Sequence, residues 1–208
     1  ANETEQDLGS RPDMIDTDDD GISDRTERDN GTSPSDPTDP AVSRALRLDG
    51  ADDTFVEAPR SLDQALSDWT LEAWVAPDSV SDGVIIQRHV EVLGAGTNAL
   101  NYMLGVKAVG PDLVPYAGYR TLDGQDFFVQ GGVLPTGSWT HIAASYDSVS
   151  ATLALYTNGS WVAGGSGYYA APPSNGKGGT TSLRFGQGFA GRLDDVRLWS
   201  VARSDTLI

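Results

Sequence analysis

The chain contains no cysteine, which excludes a disulfide framework and thiolate chemistry. Histidine occurs only at positions 89 and 141, far apart in sequence. Lysine is equally scarce, at Lys107 and Lys177, a bias that fits either a GC-rich coding background or a salt-adapted source. No apolar run approaches the roughly 18 residues a membrane helix needs, and no basic-apolar leader opens the sequence. Positive charge is short overall. Fourteen Lys and Arg stand against 30 Asp and Glu, for a formal net charge of −16. A negative field of this size opposes nucleic acid and anionic membranes as partners. Catalytic signatures are missing too. There is no G-x-S-x-G elbow, and Glu72 has no acidic partner two residues away on its strand-like stretch. A glycosidase needs such a facing pair. The sequence therefore reads as a non-enzyme.

What is present points to β-structure. Twenty-four Gly and eleven Pro suit many short strands joined by turns. The stretch 137–162, GSWTHIAASYDSVSATLALYTNGSWV, alternates over Thr140 to Tyr146, breaks at Asp147 to Ser150, and alternates again from Thr152 to Thr157. Asn158-Gly159 then signals a tight hairpin, because both central residues of a type I′ turn need positive φ. Further strands are expected near 45–48, 55–57, 69–76, 83–87, 101–109, 113–120, 127–130, 182–186 and 191–199. Pro115 suggests an edge strand or a bulge. Leu193 and Val196 are three apart, which breaks period two and predicts a bulge at Asp194-Asp195. His141 beside Trp139 reads as a packed, hydrogen-bonded histidine. Together these imply an all-β, two-sheet antiparallel sandwich.

Residues 1–40 carry 13 acids and three bases. Residues 1–12 read as a flexible lead-in from a longer protein. Asp16 to Glu27 then fits the calcium-loop pattern D-x-D-x-D-G-x-x-x-x-x-E without a gap. Asp16, Asp18 and Asp20 would surround one ion, Gly21 would permit the sharp turn, and Ile22 would offer its carbonyl. Asp24 would act directly or through water, and Glu27 would close the sphere with both oxygens. No segment is long enough for a helix leading into the loop, and Ser23 to Arg28 has room for only a turn or two of helix after it. Asp36 and Asp39 precede prolines, as turn residues do.

Four phrases resemble the laminin G-like, or concanavalin A-like, jelly-roll family in its usual order: Arg47-Leu48-Asp49-Gly50, Trp69 to Val75, Trp139 to Ala143 with Leu155 to Gly159, and Gly191 to Trp199 with the tail Ala202 to Ser204. This resemblance implies a jelly-roll domain over 41–208. Residues 13–40, an acidic loop followed by Gly-Thr-Ser-Pro and Asp-Pro, resemble one thrombospondin type 3-like calcium-binding repeat.

The expected function is a calcium-binding module, secreted or at the cell surface, that binds glycan or mediates adhesion as a monomeric part of a larger protein. The alternatives are a structural spacer with no ligand of its own and a glycan-active enzyme. Trp161, Tyr168 and Tyr169 are the candidate glycan contacts, with core or loop anchoring as the competing role. Tyr116, Tyr119 and Phe127 lie on edge or loop segments. Asp49 and Asp194 either share a second calcium at one rim or bond to loop amides. The Asn30 and Asn158 sequons are explained by turn chemistry.

Overall fold

The computed structural model describes residues 9–11, 13–39, 45–59, 61–91, 98–168 and 181–208. The expected lead-in lies largely outside these residues, as does Tyr169. The chain divides into two compact units, Ala1–Arg44 and Ala45–Ile208.

In the first unit the backbone is shaped by local polar contacts. The one α-helix among the described residues of this unit, α1 (Asp24–Asn30), is capped by Ser23, whose side chain accepts from Thr26 N–H. It ends at Gly31, φ 76°, with the Gly31 and Thr32 N–H groups returned to the carbonyls of Arg28 and Glu27. Arg11 N–H donates to Thr17 Oγ1 at 2.7 Å, so ordered structure begins before residue 13. Asp36 accepts from the N–H and hydroxyl of Thr38, which hold its carboxyl below the usual range, as befits a turn residue.

The second unit contains twelve described strands: β1 (Leu46–Asp49), β2 (Val56–Ala58), β3 (Trp69–Pro77), β4 (Gly83–Glu91), β5 (Asn98–Val109), β6 (Asp112–Arg120), β7 (Asp126–Gln130), β8 (Thr140–Asp147), β9 (Thr152–Thr157), β10 (Ser160–Ser166), β11 (Thr181–Phe185) and β12 (Ala190–Trp199). They form two six-stranded antiparallel sheets. The first has the order β1-β12-β3-β8-β9-β10 and the second β2-β11-β4-β5-β6-β7. This is the expected jelly-roll sandwich. Between the sheets, Leu71, Ala73 and Val75 of β3 and Ile142, Ala144 and Tyr146 of β8 face a core shared with Tyr102, Leu104 and Val106 of β5 and Ala117 and Tyr119 of β6. Trp69 stacks on Tyr146 with centroids 5.9 Å apart. The β9–β10 turn has φ 48° at Asn158 and 73° at Gly159, as the Asn-Gly pair predicts.

One detail departs from the sequence reading. Pro115 lies on β6, which is interior, between β5 and β7. It is tolerated because β7 ends opposite Tyr116, so no β7 residue calls on a Pro115 N–H, while Gly131 just beyond β7 donates to the Pro115 carbonyl at 3.3 Å. Strand β3 is buried at every position except Trp74. Residues 200–208 run back over the first sheet and cover part of its outer face, leaving Trp74 exposed. Thr70 Oγ1 donates to Val201 O and accepts from Arg203 N–H, each at 2.8 Å. Tyr156 OH donates to Asp205 at 2.7 Å, and Ile208 packs on Ala143, Ala154 and Tyr156.

Candidate functional site

The acidic loop is built as its spacing suggests. Gly21, φ 81°, turns the chain so that its N–H donates to Asp16 Oδ2 at 2.7 Å. Asp20 N–H donates to Asp18 Oδ1, and Ile22 N–H donates to Asp20 Oδ1 at 2.6 Å. One carboxylate oxygen from each of Asp16, Asp18 and Asp20 lies within 4.8 Å of the others. Glu27 from α1 is completely buried. Both of its oxygens, with Asp16 Oδ1 and Asp18 Oδ2, are buried without a hydrogen-bond partner. Burial pushes the Glu27 carboxyl up first, and the charges of Asp18, Asp20, Asp24 and Asp16 push it further. Buried acceptors without donors are costly in a folded chain. Four of them facing a carboxylate cluster suit a hard cation with several oxygen ligands. Asp24, expected to act directly or through water, is engaged by Thr17. Its two oxygens accept from Thr17 N–H at 2.7 Å and Thr17 Oγ1 at 2.8 Å, so it braces the loop.

A second feature lies on the outer face of the second sheet. Register places Gly105, Tyr116 and Gln130 in one row across β5, β6 and β7. The next row holds Gln87, Met103, Gly118 and Phe128, and the one beyond pairs Arg120 with Asp126. Two glycines on outward positions lower the floor between larger side chains. A Cβ on Gly105 would sit 2.9 Å from the Tyr116 ring, so the ring rests on that glycine. The result is an open groove of about 550 Å³. Half-buried Tyr116 and Phe128 lie 6.0 Å apart in it at 45°. Arg120 is forked onto Asp126 at 2.5 and 3.0 Å, and exposed Lys107 stands at the rim. Gln87 donates to Gln187 at 2.9 Å, which fixes its amide. Burial, with Asp82 nearby, pushes the Tyr116 phenol up to about 12, so it stays a neutral donor at ordinary pH. Aromatic faces beside fixed amide, guanidinium and carboxylate groups are offered to solvent together.

The aromatic residues singled out from sequence separate. Trp161 is exposed on β10 of the first sheet, opposite Tyr156. Tyr168 is an anchor rather than a contact. Its ring packs on the core edge-on to Phe127, and its carbonyl accepts from Tyr119 OH at 3.0 Å and Tyr146 OH at 2.8 Å. Tyr119 is buried, and Phe127 stacks on it at 5.1 Å. Of that outer group only Tyr116 faces the groove. Met103, Gln87, Arg120 and Phe128 were not singled out from sequence. The available signal was the outward register Met103-Gly105-Lys107 on one strand beside Tyr116-Gly118-Arg120 on the next.

The proposed sharing of a calcium by Asp49 and Asp194 is corrected by register. The bulge at Asp194 is present, with Asp195 at φ 51°. Yet Asp49 pairs with Ala190, at the opposite end of the β1–β12 ladder from Leu193. Four residues of strand separate the two positions, about 13 Å. Asp49 instead accepts from Ala51 N–H, which, with the Thr54 side chain, holds its carboxyl low. Asp194 accepts from Asp195 N–H at 2.7 Å. Glu72, examined as a catalytic carboxylate, is buried on the outer face of the first sheet. It is paired with Arg203, and its Oε2 lies 3.5 Å from His141 Nε2.

No helix among the described residues is long and apolar enough to cross a membrane. No curated protein matches the chain in sequence. Among solved structures, the carbohydrate-binding module CBM40 of the Ruminococcus gnavus IT-sialidase, bound to α2,3-sialyllactose, aligns with TM-score 0.63 at 13% identity, over 79% of this chain and 94% of that one. The leech intramolecular trans-sialidase aligns with TM-score 0.62 at 14% identity, over 79% of this chain and 26% of that one. A Trypanosoma rangeli sialidase aligns with TM-score 0.55 at 14% identity over the same shares. At such identities the likeness is one of fold. A family model described as the concanavalin A-like lectin/glucanases superfamily matches residues 49–208, most of the chain, and the chain belongs to that superfamily.

Proposed function

We propose that the chain is a non-catalytic carbohydrate-binding module whose ligand lies in the outer groove of the second sheet, preceded by a thrombospondin type 3-like repeat that holds calcium. The observation that carries this reading is the Tyr116–Phe128 pair set above a glycine-lowered floor with fixed polar groups on either side. A pyranose ring has an apolar face and a rim of hydroxyls. It gains by covering an aromatic ring while its hydroxyls meet groups such as Gln87, Arg120 and Asp126. The CBM40 relative, described as bound to sialyllactose, supports a sandwich of this shape in that role. The calcium reading rests on the buried, partnerless oxygens of Glu27, Asp16 and Asp18. Extracellular calcium modules bind at roughly 10⁻⁴–10⁻³ M, so such a site fills outside cells, which supports a secreted or cell-surface location.

The test is a glycan panel read with the intact chain in calcium and with Tyr116→Ala and Phe128→Ala. Each ring removal forfeits about 1.5–3 kcal/mol of contact, so affinity should fall tenfold or more. If the panel yields no ligand, the spacer reading replaces this one. Binding that both variants retain in full would move the ligand elsewhere. Turnover of a bound glycan would refute the non-catalytic reading.

A further inference from the structure

The tryptophans are distributed unevenly. Trp69 is wholly buried in the core. The other four, Trp74, Trp139, Trp161 and Trp199, are each 37–58% exposed. Pairing and alternation put Trp74, Trp161 and Trp199 on the outer face of the first sheet. Trp74 lies opposite His141, Trp161 opposite Tyr156 and Trp199 opposite Thr70. Trp139 joins them beneath the guanidinium of Arg192, which alternates outward from inward-facing Leu193 and lies 5.2 Å from the indole centroid. The groove of the second sheet is lined by no tryptophan. Three of these four indoles have a polar companion, Arg192 over Trp139 among them. Arg203 lies 4.3 Å over Trp199, and His141 is 5.5 Å from Trp74. This mixture of ring faces and hydrogen-bonding groups differs from an apolar protein contact, whose buried centre is depleted in charge.

A cavity of about 530 Å³ opens within this face. Trp74 and His141 line it from the sheet, Arg197 and Asn158 contribute polar groups, and Leu207 and Ile208 of the terminal strap also line it. Its polar floor is fixed. Glu72 is paired with Arg203 and lies beside His141, and Asn158 Oδ1 accepts from His141 N–H at 3.0 Å. Arg197 is held by Asp195 through two hydrogen bonds, at 3.0 and 2.5 Å. Preorganised polar groups around one exposed indole make a built site, because little ordering remains to be done on binding.

We infer that this cavity is a second saccharide site, in which Trp74 carries a sugar ring and Arg197, Asn158 and His141 meet its hydroxyls, so that the module is bivalent with one site on each outer face of the sandwich. The inference shares the carbohydrate reading given above but uses different residues, so the two can fail separately.

Intrinsic fluorescence distinguishes the sites, since the described aromatics of the second-sheet groove include no indole. Cellotetraose, maltotetraose, xylotetraose and 3′-sialyllactose are titrated into the intact chain with calcium, followed by calorimetry and by tryptophan emission. At least one probe should shift the emission. That shift should persist in Tyr116→Ala and fall tenfold or more in affinity in Trp74→Ala. Arg197→Gln, which leaves the indole in place, should weaken it in the same direction. Where one probe fits both faces, calorimetry should give two sites for the parent and one for either aromatic variant. Unchanged emission with every probe overturns the second site, and so does a shift that Trp74→Ala and Arg197→Gln both leave intact. Loss of binding in Tyr116→Ala with emission silent throughout would leave the groove standing and remove only this site. Loss of the shift in Trp74→Ala, with every probe binding Tyr116→Ala as it binds the parent by calorimetry, would leave this site standing and remove the groove.

Discussion

Glu27 and Leu71 are both completely buried, for opposite reasons. Leu71 lies between two sheets among Trp69, Ile142, Leu155 and other apolar side chains, so its burial lowers the free energy of the fold. Glu27 is buried among carboxylates, with neither oxygen bonded, so its burial is unfavourable unless a cation offsets it. The sandwich thus holds its shape by covering apolar surface. The described residues of the acidic unit form no hydrophobic cluster of their own, and Met14 and Ile15 stay exposed. A segment with so little to bury and so much like charge needs an external partner to offset the entropy of ordering.

The largest expected effects set the two units against each other. Leu71→Ala should destabilise the sandwich by about 2–5 kcal/mol and leave calcium affinity unchanged. At roughly 2–4 °C per kcal/mol for a domain of this size, the loss is easily read by scanning calorimetry. Glu27→Ala or Asp20→Ala should do the converse, abolishing calcium-dependent protection of residues 13–39 from protease while the sandwich melts as before. A mutation of either kind that damages both units equally would break the comparison.

Next in size is the strap. Removing the guanidinium in Arg203→Ala leaves buried Glu72 with His141 as its remaining described ion-pair partner and takes away a donor to Thr70 only if the backbone also shifts. A loss of about 2–3 kcal/mol is expected in urea unfolding, with no change in calcium affinity. A smaller effect comes from pH. Tyr116 and Tyr156 are each pushed up to about 12, first by burial and then by Asp82 and by the hydrogen bond to Asp205 respectively. An unfolded tyrosine loses its proton near pH 10. Between about pH 10 and 12 the folded form therefore binds more protons, and stability should fall as pH rises through that window. The smallest expected effect is none. Asp49→Asn and Asp194→Asn should leave the calcium stoichiometry unchanged, by dialysis and metal analysis.

The sequence displayed those features that depend on neighbours along the chain. Asn158-Gly159 demanded its turn, the three-residue step from Leu193 to Val196 disclosed the bulge, and Gly21 with Glu27 in register disclosed the loop. Long-range contacts were hidden. Nothing periodic in residues 200–208 announces that they cross β3, β8 and β9, because they bind through single groups such as Thr70 Oγ1 and Tyr156 OH. Tyr168 looked like a loop aromatic, but the core uses its carbonyl as well as its ring. The groove needed knowledge of which strands are neighbours, since Tyr116 and Phe128 meet only once β6 pairs with β7.

The most direct measurement is amide hydrogen exchange, residue by residue, in calcium and in excess chelator. Calcium should slow exchange at Gly21, Ile22, Thr32 and the other bonded amides of the acidic unit, while β3, β5 and β8 exchange equally slowly in both conditions. Equal protection of the acidic unit in chelator would contradict the account, and so would loss of protection in the sandwich core when calcium is withdrawn.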